Sequence, residues 1–110
     1  MVSPAAGSVV LVSFPFSDLS ASKLRPAIVL ASARQEDWIL CQVTSNPYSD
    51  PKAIEIDDSG FSSGSLHHVS FSRPSKLFTA NTSLMKAEVG HLNPVALQSV
   101  LDAVIAILKG

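Results

Sequence analysis

The sequence predicts a mainly β domain of the α+β class: a small barrel or strongly bent sheet with one C-terminal α-helix against it. Three observations carry this. The first two-thirds of the chain breaks into short apolar runs of five or six residues bounded by turn residues, the length and punctuation of strands. Three runs, Val9 to Phe14, Ala27 to Ala31 and Trp38 to Val43, are apolar at all or all but one position, as in strands buried on both faces. From Pro94 onward the apolar residues recur at three- and four-residue steps, the period of a helix.

Each element follows in order. Val9 to Phe14 is a valine-rich run closed by Pro15. Ala27 to Ala31 is the second, introduced by Arg25-Pro26, and Trp38 to Val43 is the third. Ala53 to Asp57 alternates, with Ile54 and Ile56 on one side and Glu55 on the other, as in a half-buried strand. His67 to Ser72 alternates too. Its parity puts Val69 and Phe71 on an inward face, with His67 beside them as a buried histidine and His68 toward solvent. Leu77 to Thr79 and Met85 to Val89 complete the strands. Leu97, Val100, Leu101, Val104, Ile105 and Leu108 then form one stripe of a helix from Pro94 to Lys109. Asn93 suits its N-cap, Pro94 its first turn, and Lys109 the negative end of its dipole. Val95 and Ile107 widen the apolar surface beyond what so small a domain buries, which predicts self-association.

The 110 residues read as a single domain, 1–110, without internal repeats. Apolar residues make up 46% and charged residues 15%, which excludes a disordered tail. No apolar run reaches the length of a membrane span, so a soluble chain with no membrane partner is expected. Met1 to Ala6 has neither the basic start nor the apolar stretch of a secretory signal, so a cytoplasmic location is expected. The one cysteine, Cys41, excludes a disulfide framework and reads as a small packed hydrophobe. Net charge is −1, but no acid falls between Asp58 and Glu88, where Arg73, Lys76, Lys86, His67 and His68 lie. That stretch is either an anion-facing patch or a solvated face that meets Asp50, Glu55, Asp57 and Asp58 in the fold.

The chemistry-bearing residues are few. The three histidines and one cysteine lack metal-ligand spacing, so neither metal nor cofactor is expected. There is no glycine-rich phosphate loop or nucleophile elbow. Arg25-Pro26 and Arg73-Pro74 each place an arginine in extended backbone, since the proline disfavours helix before it. At a strand mouth such guanidinium groups suit phosphate through bidentate contacts. The alternative is a structural pairing with a loop carboxylate such as Asp18 or Asp50. Thr44-Ser45 ends the third strand and offers hydroxyls to a phosphate or ribose, or a simple turn cap. Trp38, Phe14, Phe16 and Tyr48 offer faces for base stacking, Phe16 and Tyr48 foremost, although most aromatics in a small domain are core.

Several segments, in order, resemble the MazF/PemK family of type II toxin–antitoxin systems. They are Gly7-x-Val9-Val10-Leu11-Val12, Phe14-Pro15-Phe16-Ser17-Asp18-Leu19, and Lys23-x-Arg25-Pro26-Ala27-Ile28-Val29-Leu30. Cys41-Gln42-Val43-Thr44-Ser45, Ser72-Arg73-Pro74-x-Lys76-Leu77 and the terminal amphipathic helix complete the match, from about residue 7 to residue 109. The resemblance implies an SH3-like β-barrel of the CcdB/MazF/PemK kind, working as a homodimer. It implies a toxin that cuts single-stranded RNA at short sequences as a metal-independent endoribonuclease, neutralised by a flexible acidic segment of a cognate antitoxin. It assigns catalysis to Arg25, Thr44 and Arg73. With such a substrate, Ser45, Phe16, Lys23, Tyr48, Ser75, Lys76 and His68 are expected along the RNA. Many members carry an acid where this chain has Ser8 or Ser75, and some a histidine in the first loop, Ser17 to Leu24, where this chain has none. A missing base leaves three courses: slower cleavage, another group such as His68, or loss of activity. Two further readings stand beside the nuclease. One is a catalytically silent barrel that binds nucleic acid or an antitoxin peptide. The other is a CcdB-type module that targets gyrase.

Overall fold

The computed structural model describes residues 2–15, 22–47 and 49–110, with side chains for all of these except 14, 15, 22 and 23. Among these residues, seven strands form one antiparallel sheet. They are β1 (Ser8–Pro15), β2 (Ser22–Arg34), β3 (Asp37–Thr44), β4 (Ile54–Ile56), β5 (Phe61–Gly64), β6 (Ser70–Asn81) and β7 (Met85–Leu92). Their spatial order is β4-β6-β3-β2-β1-β7-β5, followed in the chain by helix α1 (Pro94–Lys109). The extents of 32 × 30 × 28 Å are too even for a flat sheet with one helix on it, since two such layers stack only about 10 Å apart. The sheet is a curled half-barrel with β4 and β5 at its edges. Register shifts supply the bends, with the extra residues on β7 against β1, on β2 against β3 and on β6 against β3, because an extra residue on one strand increases local twist. No helix among the described residues is long and apolar enough to cross a membrane.

The apolar runs of β1, β2 and β3 are buried on both faces, as their composition predicts. Directly opposed residues share a face, so the register separates two cores. Val9 faces Ile28 and Ile28 faces Cys41; this row, with Leu30, Val43, Ile56 and Leu92, packs beneath Val100 and Val104 of α1. Val10 faces Ala27 and Val29 faces Leu40; that row joins Val12, Ala80 and Met85 on the opposite face, with Trp38 and Phe78 against it. Trp38 is therefore core. Each fully buried aliphatic contributes about 1.5–3 kcal/mol. Gly7 knits three strands, donating to the Val29 carbonyl at 2.8 Å and accepting from the Leu92 N–H at 2.9 Å. Its φ of +99° requires glycine, and an added Cβ would meet the His91 ring at 2.8 Å.

Helix α1 has the predicted ends. Asn93 Oδ1 accepts the Ala96 N–H at 2.8 Å, Pro94 occupies the first turn and Lys109 the last. The stripe is narrower than expected. Val100 and Val104 are buried, whereas Ile105 and Leu108 are 46% and 73% exposed because they lie on the flank turned from the sheet. Val95 is exposed as well, and Ile107 half-buried.

Three expectations need correction. The two short strands at His67–Ser72 and Leu77–Thr79 are one strand, β6, which begins at Ser70 and runs through Pro74. It passes the proline where β3 changes register, Gln42 facing Arg73 and Cys41 facing Leu77. Its buried row is also the opposite one. Ser70, Ser72 and Pro74 are buried, Phe71 is half-buried and Val69 is 48% exposed. Small serines fit where β6 lies beside β4, Ser72 opposite Ile54 and Ser70 opposite Ile56. His67 is accordingly exposed, in a turn ahead of the strand, and takes left-handed backbone at φ 65°. The third correction is β5, whose polar residues gave no strand signal. It exists through pairing with β7.

Candidate nucleic-acid interface

Arg25 lies early in β2, opposite Val12 of β1, and pairing with β3 begins at Ala27 opposite Gln42. Pro26 thus precedes the β3 ladder, so its missing N–H breaks no rung there. Thr44 ends β3 opposite Phe71, and Gln42 stands opposite Arg73. By the shared-face rule Arg25, Gln42, Thr44 and Arg73 all project from the face opposite the helix.

At the rim, where residues of both faces meet, an open hollow of about 420 Å³ forms. Arg25 and Pro26 from β2, Val43, Thr44 and Ser45 from the end of β3, and Leu11 and Val89 line it. The residues from Ser65 to His68, with Ser70, close its other side. The structure therefore brings Arg25, Thr44, Ser45 and His68 together. Arg25 is half-buried, and Ser45 and His68 are exposed. Thr44 is buried, and its hydroxyl serves the turn: Oγ1 donates to the Asn46 carbonyl at 3.0 Å and accepts the Asn46 N–H at 3.2 Å. Ser45 is the hydroxyl turned outward.

Arg73 is not among the residues lining that hollow. Its Nε donates to Asp50 Oδ2 at 3.1 Å, the loop-carboxylate pairing weighed from the sequence. Asp50 Oδ1 also accepts the Lys52 N–H at 2.9 Å. These hydrogen bonds, the Lys52 backbone first and Arg73 second, hold the Asp50 carboxyl below the usual carboxylate range. The Arg73 carbonyl accepts the Cys41 thiol at 3.2 Å. Burial pushes that thiol up to about 12, so Cys41 is a neutral packed group and no nucleophile. Beyond Pro74, Ser75 and Lys76 are exposed on β6. Ser8 is buried, with its hydroxyl accepting the Ala5 N–H at 3.0 Å. Phe16, Tyr48 and Asp18 lie outside the described residues, as does the side chain of Lys23.

Sequence parity missed Ser65 and His67, which also line the hollow. The serine- and glycine-rich run from Ser62 to Ser65 was the available turn signal. Asp57 caps a single 3₁₀ turn, Asp58–Gly60, by accepting the Ser59 N–H at 3.0 Å. The Asn93 N–H donates to the Gly60 carbonyl at 2.8 Å, tying this turn to the start of α1. Ser65 Oγ donates to Asp58 Oδ1 and accepts the His67 N–H at 2.8 Å. The histidine turn is thus suspended from the helix cap through hydrogen bonds.

The sequence matches the model of the PemK-like, MazF-like toxins of type II toxin–antitoxin systems over residues 5–108. The chain belongs to that family. The fold of this PemK-like toxin is shared by solved structures at low identity. An endoribonuclease in complex with its cognate antitoxin, from a mycobacterial species, is 12% identical with a TM-score of 0.75, over 99% of this chain and 96% of that one. MazF in a MazE–MazF complex from Deinococcus radiodurans is 18% identical with a TM-score of 0.76, over 96% of each chain. The Mycobacterium tuberculosis toxin MazF-mt6 is 12% identical with a TM-score of 0.71, over 93% of this chain and 96% of that one. No sequence among curated proteins matches.

Proposed function

We propose that this PemK-like toxin cuts single-stranded RNA, without a metal, as a sequence-specific endoribonuclease of the cytoplasm. The observation that carries the reading is that Arg25, Thr44 and Ser45 line one open hollow in a chain of this family. The 2′-hydroxyl of the RNA attacks the adjacent phosphorus, the bond to the 5′-oxygen breaks, and a cyclic phosphate and a 5′-hydroxyl result. The Arg25 guanidinium stabilises the charge that develops on the phosphorane, where a fixed cation acts most strongly. It is a poor base, because guanidinium holds its proton too tightly. Thr44 shapes the turn that presents Ser45 to a phosphate oxygen. Arg73, a diagonal neighbour of Thr44 about 7–8 Å away across the ladder, anchors the next phosphate. Ser75, Lys76, Lys23, Phe16 and Tyr48 extend the RNA path. The structures of relatives bound to a cognate antitoxin or to MazE support a protein antitoxin as the partner of this chain. The exposed Ile105 and Leu108 on α1 support a second copy as a further partner.

A silent barrel that binds RNA or antitoxin without cutting is the second reading. Ser75, where relatives carry an acid, and the engaged Thr44 hydroxyl favour it. One experiment separates the two. The purified chain is incubated with a long single-stranded RNA in chelator, and the new ends are mapped. Discrete cuts with 5′-hydroxyl ends, lost in Arg25→Ala, are expected. Intact RNA with retained binding establishes the silent barrel, and intact RNA with blocked gyrase relaxation establishes the gyrase module.

A further inference from the structure

We propose that the His67–His68 turn performs the proton transfers of RNA cleavage in this chain; the inference rests on the nuclease reading above. Removal of the 2′-hydroxyl proton needs an acceptor, and the 5′-oxygen needs a proton as it leaves. Arg25 does not fill the first role, and Thr44 and Ser45 are alcohols. Imidazole is the side chain that most often serves as general acid and base in enzymes, and two imidazoles line the hollow.

Three observations place them for that work. Both histidines are exposed and line the hollow that Arg25, Thr44 and Ser45 line. The turn is fixed, with its left-handed residue held by Ser65 Oγ, itself held by Asp58. Backbone in that region is uncommon for a non-glycine residue and gathers at functional sites. Finally, the same two histidines wall a second hollow of about 390 Å³, lined on its far side by Asp57, Asp58 and Ser59. The turn thus separates a cationic hollow from an acidic one. Arg25 from β2 and Asp57 and Asp58 from the 3₁₀ turn are the charged groups lining these hollows; β7 contributes the neutral Val89. No trio of His, Cys, Asp or Glu among the described residues is grouped to hold a metal ion.

The proton inventory balances. A neutral imidazole takes the 2′-hydroxyl proton as O2′ bonds to phosphorus. The imidazolium of the neighbouring histidine gives its proton to the departing 5′-oxygen. The pair ends with its charges exchanged and resets through solvent.

The test is the pH–rate profile for cleavage of a short fluorescent RNA in chelator. The variants are wild type, Arg25→Ala, each single histidine variant and the double variant His67→Asn/His68→Gln. Asparagine tolerates left-handed backbone and glutamine keeps hydrogen bonding, so the turn is preserved. The double variant is expected to melt as wild type does and to weaken RNA binding by far less than it slows cleavage at saturating RNA. Its cleavage should fall about 10²–10⁴-fold, the usual scale of general acid–base catalysis. The wild-type profile should be bell-shaped, each single variant should lose one limb, and added imidazole should restore part of the double variant's rate. A double variant that cuts at the wild-type rate with an unchanged profile overturns the proposal while the nuclease reading stands. Loss explained wholly by weaker RNA binding overturns it as well. A wild-type chain that leaves RNA intact removes the nuclease reading itself.

Discussion

Arg25-Pro26 and Arg73-Pro74 are the same dipeptide on the same face of one sheet, and their surroundings differ. Arg25 sits near the start of β2, before the β3 ladder begins, and lines an open hollow. Arg73 sits within β6, where the ladder to β3 skips residues, with Asp50 on its Nε and the Cys41 thiol on its carbonyl. The position of the proline in the ladder makes the difference. Pro26 pairs with Leu11 of β1 without a shift of register there and comes before the pairing with β3 begins, beside the open hollow. Pro74 lies among the residues that β6 carries in excess over β3, and the Arg73 carbonyl beside it accepts the Cys41 thiol while Asp50 holds the guanidinium. An arginine-proline pair therefore states an extended backbone, and the neighbouring strands and loops decide what surrounds the guanidinium.

The comparison breaks if the two arginines contribute alike. Arg25→Ala is expected to lower kcat about 10²–10³-fold, the scale for removing one group that stabilises transition-state charge. Arg73→Ala is expected to raise KM about tenfold with kcat nearly unchanged, the signature of lost uniform binding. Steady-state cleavage of a short RNA measures both, and equal losses of kcat would erase the distinction. Cys41→Ala removes the donor to the Arg73 carbonyl and is expected to cost about 1–3 kcal/mol in urea denaturation. The wild-type thiol should resist iodoacetamide at neutral pH until the protein unfolds, since burial keeps it protonated.

Acid sharpens the Arg73 side. The Asp50 carboxyl is lowered in the folded state, so its stabilising contribution is complete above the ordinary carboxylate range. It is lost as pH falls through the lowered value. Asp50→Asn should flatten that part of the acid dependence and leave the alkaline side unchanged, as followed by thermal melts across pH. The smallest effect belongs to Ser72, whose buried hydroxyl has no hydrogen-bond partner among the described residues. Ser72→Ala should change stability by less than about 1 kcal/mol, toward greater stability, because it removes an unsatisfied group without altering shape. A larger loss would mean that the hydroxyl is engaged in solution.

Local chemistry made most of the framework legible. The β1, β2 and β3 runs, the half-buried β4 and both ends of α1 rest on periodicity, valine content and capping, all contained in a few neighbouring residues. The errors fall where context outweighs pattern. In β6 the hydrophobic parity named Val69 and Phe71 as inward, whereas the space beside β4 admits only small groups, and Ser70 and Ser72 occupy it. Strand β5 carries no apolar signal because β7 supplies its partner. Likewise Ile105 and Leu108 keep the helical period and still face outward, because the curl of the sheet sets how much of the helix it covers.

The amino-acid sequence alone determined the class of fold, the position of the helix, the family and the two extended arginines, since each depends on short-range geometry or ordered motifs. The tertiary structure alone decided that Arg25 lines an open hollow while Arg73 is held by Asp50, and that two histidines line the same hollow as the first arginine. The reason is that strand register and sheet curvature bring residues 25, 44 and 67 to one rim, and neither is written in the spacing between them.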